Sequence, residues 1–257
     1  MEILKIDHVT KQFGGVTACR DLNITVEKGT IKGLIGPNGA GKTTVFNLIT
    51  GVYPVTEGEI LFQGNSLIGK KPDEVVKAGI SRTFQNIRLF RNLTVQENVM
   101  TALDLRNSEY GLASAFLNLP AKKKSEAALN EKARDFLKTV GLLEKADSKS
   151  GSLPYGLQRK LEIARALALD PQLLLLDEPA AGMNPEESKE LVELIRTIQK
   201  QFDLSILLIE HHMDVVMDVC DSITVLNFGE VIADGTPEEI QQDPAVLKAY
   251  LGEDYHA

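Results

Sequence analysis

A run of small residues ahead of a lysine and two threonines is the part of this sequence best suited to chemistry. Residues 36–43 read GPNGAGKT, which matches the pattern GxxxxGK[ST]. A short apolar strand precedes the run and a helical pattern follows it, so backbone N–H groups can turn inward around a phosphate at a helix N-terminus. Lys42 is expected to reach the β- and γ-phosphates of a nucleotide, and the Thr43 hydroxyl to bind Mg²⁺. This phosphate loop comprises Gly36, Pro37, Asn38, Gly39, Ala40, Gly41, Lys42, Thr43 and Thr44.

Two adjacent carboxylates follow a second apolar run. Four leucines at 173–176 are followed by Asp177 and Glu178. In an open α/β sheet an ion-binding carboxylate belongs at the carboxyl end of a strand, so Asp177 is predicted to hold Mg²⁺. Glu178 is the candidate general base for an attacking water. Two acids after a strand also occur in solvated turns, and the phosphate loop favours the metal and base interpretation.

Gln85 and His211 are predicted to join the same site. Gln85 lies in ISRTFQNIRLF, and its side chain can contact Mg²⁺ or the attacking water. His211 follows the strand SILLIE much as Asp177 ends LLLLD, which predicts a contact with the γ-phosphate. His212 is expected to be exposed. A glutamine alone is more often a surface residue and a histidine alone more often structural, so both assignments depend on their neighbours in the fold.

Two further features leave alternatives open. The stretch LPYGLQRKLEIARAL at 153–167 places Gly156 at the start of a helix, with Pro154 two residues earlier. Helix starts bind anions, but an ordinary helix start fits the same spacing. Phe13 lies on a turn before the first core elements, where it could stack on adenine or pack as a core phenylalanine.

The composition excludes several classes of protein. The chain has 257 residues, 43% of them hydrophobic, which fits one large domain or two closely joined ones. A net charge of −8 and a single short basic cluster at 122–124 argue against a nucleic-acid partner. Cys19 and Cys220 match no metal spacing and are expected to be reduced core residues. The apolar runs are shorter than the ~18 residues of a membrane span, and the N-terminus reads as a strand, so we expect a cytoplasmic protein.

The residues between these motifs predict the elements that position them. Residues 1–30 are expected to form antiparallel strands or a hairpin, and residues 58–63 another strand. A capping box at Thr94 and Glu97 begins a helix. Residues 104–124 lose helical periodicity and are expected to be a loop or an insertion, whereas residues 125–140 regain it.

From residue 153 onward, buried apolar runs alternate with helical patterns. This alternation favours a mostly parallel sheet covered on both faces. Asn184 and Thr236, each followed by a proline, are expected to be helix N-caps. Helices are expected at 156–169, 185–201 and 212–219, and strands at 173–178, 205–210 and 222–227.

In combination, the motifs resemble the ATP-binding subunits of ABC transporters over nearly the whole chain. The resemblance rests on six motifs in order: GPNGAGKTT, the Q-loop TFQNIRLF, the signature LPYGLQ with RKLEIARAL, LLLLDEP, the D-loop AAGMNP and the switch histidine in ILLIEHH. It implies an α/β fold, a P-loop NTPase (RecA-like) core with an antiparallel β subdomain and an inserted α-helical subdomain. Residues 1–93 would hold the β subdomain and the first part of the core, 94–155 the helical subdomain, and 156–257 the second part of the core with a C-terminal helical tail.

The resemblance also gives the helix start at Gly156 a role. In this family the signature helix of one subunit points its N-terminus at the γ-phosphate held by another subunit. This implies a head-to-tail dimer, formed either by two copies of the chain or with a related second ATPase. Tyr155, Gly156 and Gln158 would then bind ATP across the interface.

Three positions depart from the family's usual pattern. Pro154 stands where the signature usually has a serine whose hydroxyl touches the γ-phosphate. Asn184 replaces the usual D-loop aspartate, and His212 replaces a common acidic residue. These departures bear on the strength of dimer closure rather than on hydrolysis.

A narrower resemblance is to the ATPases of branched-chain amino acid importers, through RTFQNIRLFRNLTVQENV, YGLQRKLEIARAL, PAAGMNPEE and the ending TPEEI…LKAYLGE. The ATPase of the lipopolysaccharide exporter has a similar ending and stays an alternative, as does a nucleotide-gated ABC protein without transport. The resemblance implies ATP and Mg²⁺, two transmembrane permease subunits, a second ATP-binding subunit and an external solute-binding protein. It also implies a place on the cytoplasmic face of the cell membrane.

Other functions fit the sequence less well. A P-loop kinase of small molecules should have an arginine-rich lid and an acceptor pocket, and a soluble ABC protein acting on DNA or ribosomes should have two nucleotide domains, long heptads or a basic face. Neither set of features is visible in the sequence. Ile87, Leu89 and Phe90 are expected to form a groove for a helix of a permease, with core packing as the alternative.

Overall fold

The computed structural model describes residues 1–107 and 120–251, and it contains two β-sheets. The first sheet is antiparallel and has the order β2-β1-β4-β5. Its strands β1 and β2 form the expected hairpin, joined by a tight turn at Gly14 and Gly15. The strands are β1 Glu2–Phe13, β2 Val16–Glu27, β4 Glu57–Phe62 and β5 Asn65–Ser66.

The second sheet has six strands in the order β10-β9-β3-β8-β7-β6. The pairings among β6, β7, β8, β3 and β9 are parallel, and β10 pairs antiparallel with β9. This confirms the predicted, mostly parallel sheet. The strands are β3 Ile31–Ile35, β6 Ile80–Arg82, β7 Leu173–Asp177, β8 Ser205–Ile209, β9 Ser222–Asn227 and β10 Glu230–Gly235.

The helices of the described residues begin at identifiable caps. The Asn184 side chain accepts hydrogen bonds from the backbone N–H groups of Glu186 and Glu187, each at 3.0 Å, as a capping asparagine should. Thr94 and Glu97 form the predicted capping box. The helices are α1 Lys42–Ile49, α2 Pro72–Ala78, α3 Val95–Asn107, α4 Pro120–Thr139, α5 Tyr155–Leu167, α6 Pro185–Gln201, α7 Met213–Val219, α8 Pro237–Gln242 and α9 Pro244–Leu251.

The expected loop across 104–124 is wrong at both ends. Helix α3 continues to Asn107, and α4 already begins at Pro120. A proline fits the first turn of a helix because its missing N–H would have no partner there, so Pro120 marks a start and not a break. Residues 108–119, the rest of the expected loop, lie outside the described residues.

The core lies on both faces of the parallel sheet. On β7, Leu174 and Leu176 pack into a cluster with the helices, whereas Leu173 and Leu175 pack into a second cluster with α1 and the antiparallel sheet. Every residue of β3, β7 and β8 is buried, which fits strands covered on both sides. The carboxyl ends of these strands are therefore well packed, and the phosphate loop, Glu178 and His211 follow β3, β7 and β8 respectively.

Two expectations from composition can be compared with the fold. Cys19 and Cys220 are both buried and unpaired, as expected of reduced core cysteines. Across residues 1–107 and 120–251, the structure has no helix of the length and apolar character that crossing a membrane requires.

Candidate nucleotide-binding site

The phosphate loop leaves the carboxyl end of β3 and runs into α1, and a cavity of about 500 Å³ opens over it. Its predicted members from Asn38 to Thr44 all line this cavity. The other lining residues come from β2, from the ends of β7 and β8 and from the β9–β10 turn. They are Val16, Thr17, Ala18, Glu178, His211 and Phe228.

The loop is held in shape by contacts with its surroundings. At Gly36, where φ is 148°, a Cβ atom would lie 2.1 Å from the carbonyl oxygen of Leu226, so only glycine fits. The Gly229 N–H, on the β9–β10 turn, donates a 3.0 Å hydrogen bond to the Ala40 carbonyl oxygen. The shape of the loop therefore depends on β9 as well as on its own glycines.

Lys42 is a buried cation beside the cavity. Its Nζ donates hydrogen bonds to the carbonyl oxygens of Gly36 at 2.7 Å and Pro37 at 3.0 Å. Burial lowers the pKa of the Lys42 ammonium, while the carboxylates of Glu178 and Asp177 act in the opposite direction. The site thus combines one lysine with two nearby carboxylates.

Three side chains predicted as catalytic meet at Glu178. Its Oε2 accepts a 2.7 Å hydrogen bond from Gln85 Nε2, and its Oε1 lies 2.8 Å from His211 Nε2. An ionised carboxylate only accepts hydrogen bonds, so the His211 proton belongs on Nε2. Glu178 has a φ of 47°, and its N–H donates to the Ile209 carbonyl oxygen at 2.9 Å, so strained backbone and neighbours together fix the carboxylate.

Asp177 ends β7 as expected, but it has a partner that the sequence did not indicate. Its Oδ2 lies 2.7 Å from Arg82 Nη2 in a buried ion pair, and Arg82 Nη1 donates to Asn47 Oδ1 at 2.7 Å. The guanidinium lies 5.3 Å from the ring centres of both Phe46 and Phe84. Arg82 therefore joins β6, β7 and α1 at the carboxylate predicted to hold Mg²⁺.

The predicted signature residues lie apart from the cavity over the chain's own phosphate loop. Of Tyr155, Gly156 and Gln158, none is among the described residues that line the cavity over the phosphate loop. Gly156 instead lines a small pocket between α5 and α6, where a Cβ atom would lie 3.1 Å from Glu187 Oε1. Gln158 Nε2 donates a 2.8 Å hydrogen bond to the Leu153 carbonyl oxygen. The N-terminus of α5 is a surface separate from the chain's own phosphate site.

Arg159 is a further residue that sequence reasoning missed. It is fully buried, and it donates hydrogen bonds to the carbonyl oxygens of Phe84 at 2.6 Å and Gln85 at 2.8 Å and to Glu162 Oε2 at 2.7 Å. Burial raises the pKa of the Glu162 carboxyl, against the effect of the Arg159 charge. The signal in the sequence was an opposite-charge pair three residues apart, among α5 residues whose other buried members carry no charge.

Phe13 matches neither alternative fully. It is 42% exposed, so the core alternative is wrong, and its ring packs edge-on against Tyr53 with the ring centres 5.1 Å apart. It does not line the cavity, although Val16, opposite it on β2, does. Phe228 was not predicted, yet it is 88% exposed and lines the cavity from the β9–β10 turn. Stacking of Phe13 on adenine stays a prediction.

The expected groove after Gln85 is present in part. Leu89 and Phe90 line a cavity of about 820 Å³ between α2, α3 and α5, and the Arg165 guanidinium lies 5.1 Å from the Phe90 ring centre. Leu89 also packs against the core, so both alternatives hold for that residue. Ile87 is half-buried and is not among the described residues that line this cavity.

Comparison with known proteins relates this geometry to a family. A family model described as ABC transporter matches residues 19–181, and one described as branched-chain amino acid ATP-binding cassette transporter matches residues 230–256. Two similar relatives are high-affinity branched-chain amino acid transport ATP-binding proteins, LivG of Escherichia coli strain K12 at 44% identity and BraF of Pseudomonas aeruginosa at 45%. Each alignment covers 98% of this chain and 98% of the relative.

Solved structures agree with this assignment. A nucleotide-free ATP-binding cassette from an ABC transporter is similar with a TM-score of 0.84 and 34% identity. The ADP conformation of MJ1267, an ATP-binding cassette of an ABC transporter, is similar with a TM-score of 0.84 and 32% identity. Each match covers 98% of this chain and 100% of the other. The fold, the motifs and the relatives agree, and the chain belongs to the ABC transporter family as one of its ATP-binding cassettes, which are ATPases.

Proposed function

We propose that the protein hydrolyses Mg²⁺-bound ATP on the cytoplasmic face of the cell membrane and thereby powers the import of branched-chain amino acids. The observation that carries the catalytic part is the position of Glu178. Its carboxylate lies at the cavity over the phosphate loop and is held there by Gln85 and His211. The substrate assignment is supported by the relatives and by the match at residues 230–256.

The phosphates of ATP would be bound by the phosphate loop. The loop's N–H groups and the N-terminus of α1 supply partial positive charge, and Lys42 supplies a full charge. The Lys42 ammonium is already positioned by the carbonyl oxygens of Gly36 and Pro37. Charge that builds up on the γ-phosphate during hydrolysis would be stabilised by these fixed groups.

The donor groups at the site fit Mg²⁺. The Thr43 hydroxyl, the Asp177 carboxylate and the Gln85 amide oxygen are all oxygen ligands, which this ion prefers. Among the described residues, no cluster of three histidine, cysteine or acidic side chains would hold a metal by itself. An ion bound here would therefore also use phosphate oxygens and water, and it would supply charge neutralisation at the γ-phosphate.

Glu178 would act as the general base. Its carboxylate accepts a proton from water as the water oxygen attacks the γ-phosphorus, and the bond from phosphorus to the ADP oxygen breaks. His211, with its Nε2–H directed at the same carboxylate, would orient that group and contact the γ-phosphate. Because Gln85 contacts the Glu178 carboxylate, a change at the γ-phosphate would displace Gln85 and the segment that follows it.

A second ATP-binding subunit would complete the site. The phosphate cavity is not covered by α5 of its own chain, and Tyr155, Gly156 and Gln158 lie at a separate surface. The α5 N-cap is Pro154, which supplies no side-chain hydrogen bond to the first turn. Free N–H groups there would bind the γ-phosphate of a partner, in a head-to-tail dimer of two copies or of two related subunits.

Two transmembrane permease subunits and, indirectly, an external solute-binding protein would be the other partners. The 820 Å³ cavity lined by Leu89 and Phe90 follows Gln85 directly and is the proposed groove for a permease helix. We assign the antiparallel β subdomain and the first part of the core to 1–93, the helical subdomain to 94–155, and the second part of the core with its tail to 156–257.

Phosphate release by the purified chain tests the enzymatic part. We expect Mg²⁺-dependent release by the wild type and by Glu238→Gln, an exposed control on α8, and about 100-fold slower release by Glu178→Gln. Turnover of Glu178→Gln at the wild-type rate would overturn the base assignment. Proteoliposomes that also contain the permease and the solute-binding protein should take up leucine, isoleucine and valine, and uptake of none of these would overturn the substrate assignment.

A further inference from the structure

Glu210 is a fully buried carboxylate that the proposed mechanism does not use. It directly follows β8 and is 1% exposed. Its Oε1 accepts a 2.7 Å hydrogen bond from the Ala180 N–H. Its Oε2 lies 2.8 Å from the His211 N–H, 3.1 Å from the His212 N–H and 3.0 Å from His212 Nδ1.

These four donors belong to two loops that carry separate parts of the site. Ala180 lies two residues after Glu178, in the loop that follows β7, whereas His211 and His212 lie in the loop that follows β8. A buried carboxylate is stable only when several donors satisfy it, so Glu210 holds both loops through the same charge. Two further hydrogen bonds connect these parts of the chain, one between His211 Nε2 and the Glu178 carboxylate and one from the Glu178 N–H to the Ile209 carbonyl oxygen at the end of β8.

We propose that Glu210 is a positioning residue that fixes the loop after Glu178 and the loop of His211 in one arrangement, so that base and histidine are set together. The proposal rests on the proposed function. The alternative is that Glu210 serves stability only. If Glu210 has a positioning role, loss of its hydrogen bonds should lower turnover. ATP should still bind, because the phosphate loop lies between β3 and α1 and not in the two loops that Glu210 joins.

Glu210→Gln cuts the link with little change of shape. An amide has one acceptor oxygen and one NH₂ group, so it cannot accept hydrogen bonds on both sides as a carboxylate does. The amide oxygen is expected on the side of the three donors, which places the NH₂ group opposite the Ala180 N–H. Glu97→Gln is the matched control, because Glu97 also accepts a backbone N–H, from Thr94, but lies on α3 away from the cavity.

Hydrogen exchange, nucleotide binding and turnover are measured on the same wild-type, Glu210→Gln and Glu97→Gln proteins. In Glu210→Gln we expect amide exchange at Ala180 to rise about tenfold or more, with that at His211 nearly unchanged. The Kd for Mg²⁺-ATP should stay within about threefold of wild type, while kcat falls about tenfold or more. Glu97→Gln should leave exchange at both residues, Kd and kcat as in the wild type.

Three other results would overturn the proposal. Faster exchange at Ala180 with an unchanged kcat would mean that Glu210 has only a structural role. A rise in the Kd for Mg²⁺-ATP that matches the fall in kcat would mean the same. A lower kcat without faster exchange at either loop means that Glu210 does not act as a link. A wild-type protein without ATPase activity would instead remove the proposed function, and the exchange result would still show whether Glu210 ties the loops.

Discussion

Arg159 Nη2 donates a 2.8 Å hydrogen bond to the carbonyl oxygen of Gln85. Arg159 lies on α5, whose N-terminus we assign to a partner's ATP, and Gln85 contacts the Glu178 carboxylate. One buried side chain therefore joins the proposed partner-facing helix to the segment beside the base. A displacement of α5 relative to the core would act on Gln85 directly.

Substitution of Arg159 should lower the free energy of unfolding. Arg159→Met leaves the buried Glu162 carboxylate without its ion-pair partner, which typically costs about 3–5 kcal/mol. Urea denaturation measures the change in the free energy of unfolding. The double variant Arg159→Met, Glu162→Leu should recover part of the loss, because the Glu162 carboxylate that Arg159 neutralised is also removed. A double variant as unstable as the sum of the two single variants would contradict this account.

Lys42→Ala should weaken Mg²⁺-ATP binding by about 100-fold, because it removes a charged donor from the phosphate site. Calorimetric titration measures the Kd. Lys77→Ala, on the exposed face of α2 where Lys77 pairs with Asp73, is the control and should bind ATP as the wild type does. If the two variants bound Mg²⁺-ATP with equal affinity, Lys42 would have no role in binding the phosphates.

The residue that stacks on adenine can be identified by comparing two phenylalanines. Phe13→Ala and Phe228→Ala should differ in ATP affinity, because loss of a stacked base contact costs about 1–3 kcal/mol, which corresponds to about 5- to 150-fold in Kd. Inorganic tripolyphosphate has no base, so its affinity should be unchanged in both variants. We expect the loss of ATP affinity with Phe13→Ala, and a loss confined to Phe228→Ala would overturn that assignment.

ATP should convert the Glu178→Gln protein from a monomer to a dimer, which light scattering measures directly. The variant retains the phosphate loop and the α5 N-terminus but is expected to hydrolyse ATP slowly, so the closed dimer should accumulate. Pro154→Ser restores the hydroxyl usual at this position and should strengthen the dimer. A monomer that binds ATP in both variants would argue for a different ATPase partner.

The two cysteines should react with thiol reagents only after unfolding. Burial raises the pKa of the Cys19 thiol from 9.0 to about 11 and that of Cys220 to about 12. The folded state thus holds protons that the unfolded state releases from about pH 9 upward, so the thiol contribution to stability is complete below pH 9 and is lost as the pH rises through the folded pKa values of about 11 and 12. Labelling by a disulfide reagent at pH 8, with and without denaturant, tests whether the thiols react only after unfolding. Alkaline denaturation tests the predicted loss of stability at high pH.

The local features of the fold were predictable because their causes lie within a few residues. The phosphate loop, the caps at Asn184 and Thr94 and the buried strands each follow from adjacent side chains. The start of α4 at Pro120 was missed, since a proline marks either a break or a first turn, and the sequence alone does not decide between them.

The links within the site were not predictable. Arg82 and Asp177 are 95 residues apart, and Arg159 and Gln85 are 74 apart. The residues close to Arg82 and Arg159 in the sequence do not indicate these distant partners, so only the fold shows which groups the two arginines join. The cavity position of Phe228 was missed because only the fold brings the β9–β10 turn against the phosphate loop, about 190 residues earlier in the chain.

Contacts with other parts of the chain hold the phosphate loop in a defined shape. Gly36 packs against the Leu226 carbonyl, Ala40 is bonded to Gly229, and Lys42 closes the loop from within. A preorganised receptor loses little conformational entropy when its ligand arrives. Association of ATP with this subunit should therefore be governed by diffusion and charge rather than by rearrangement of the phosphate loop.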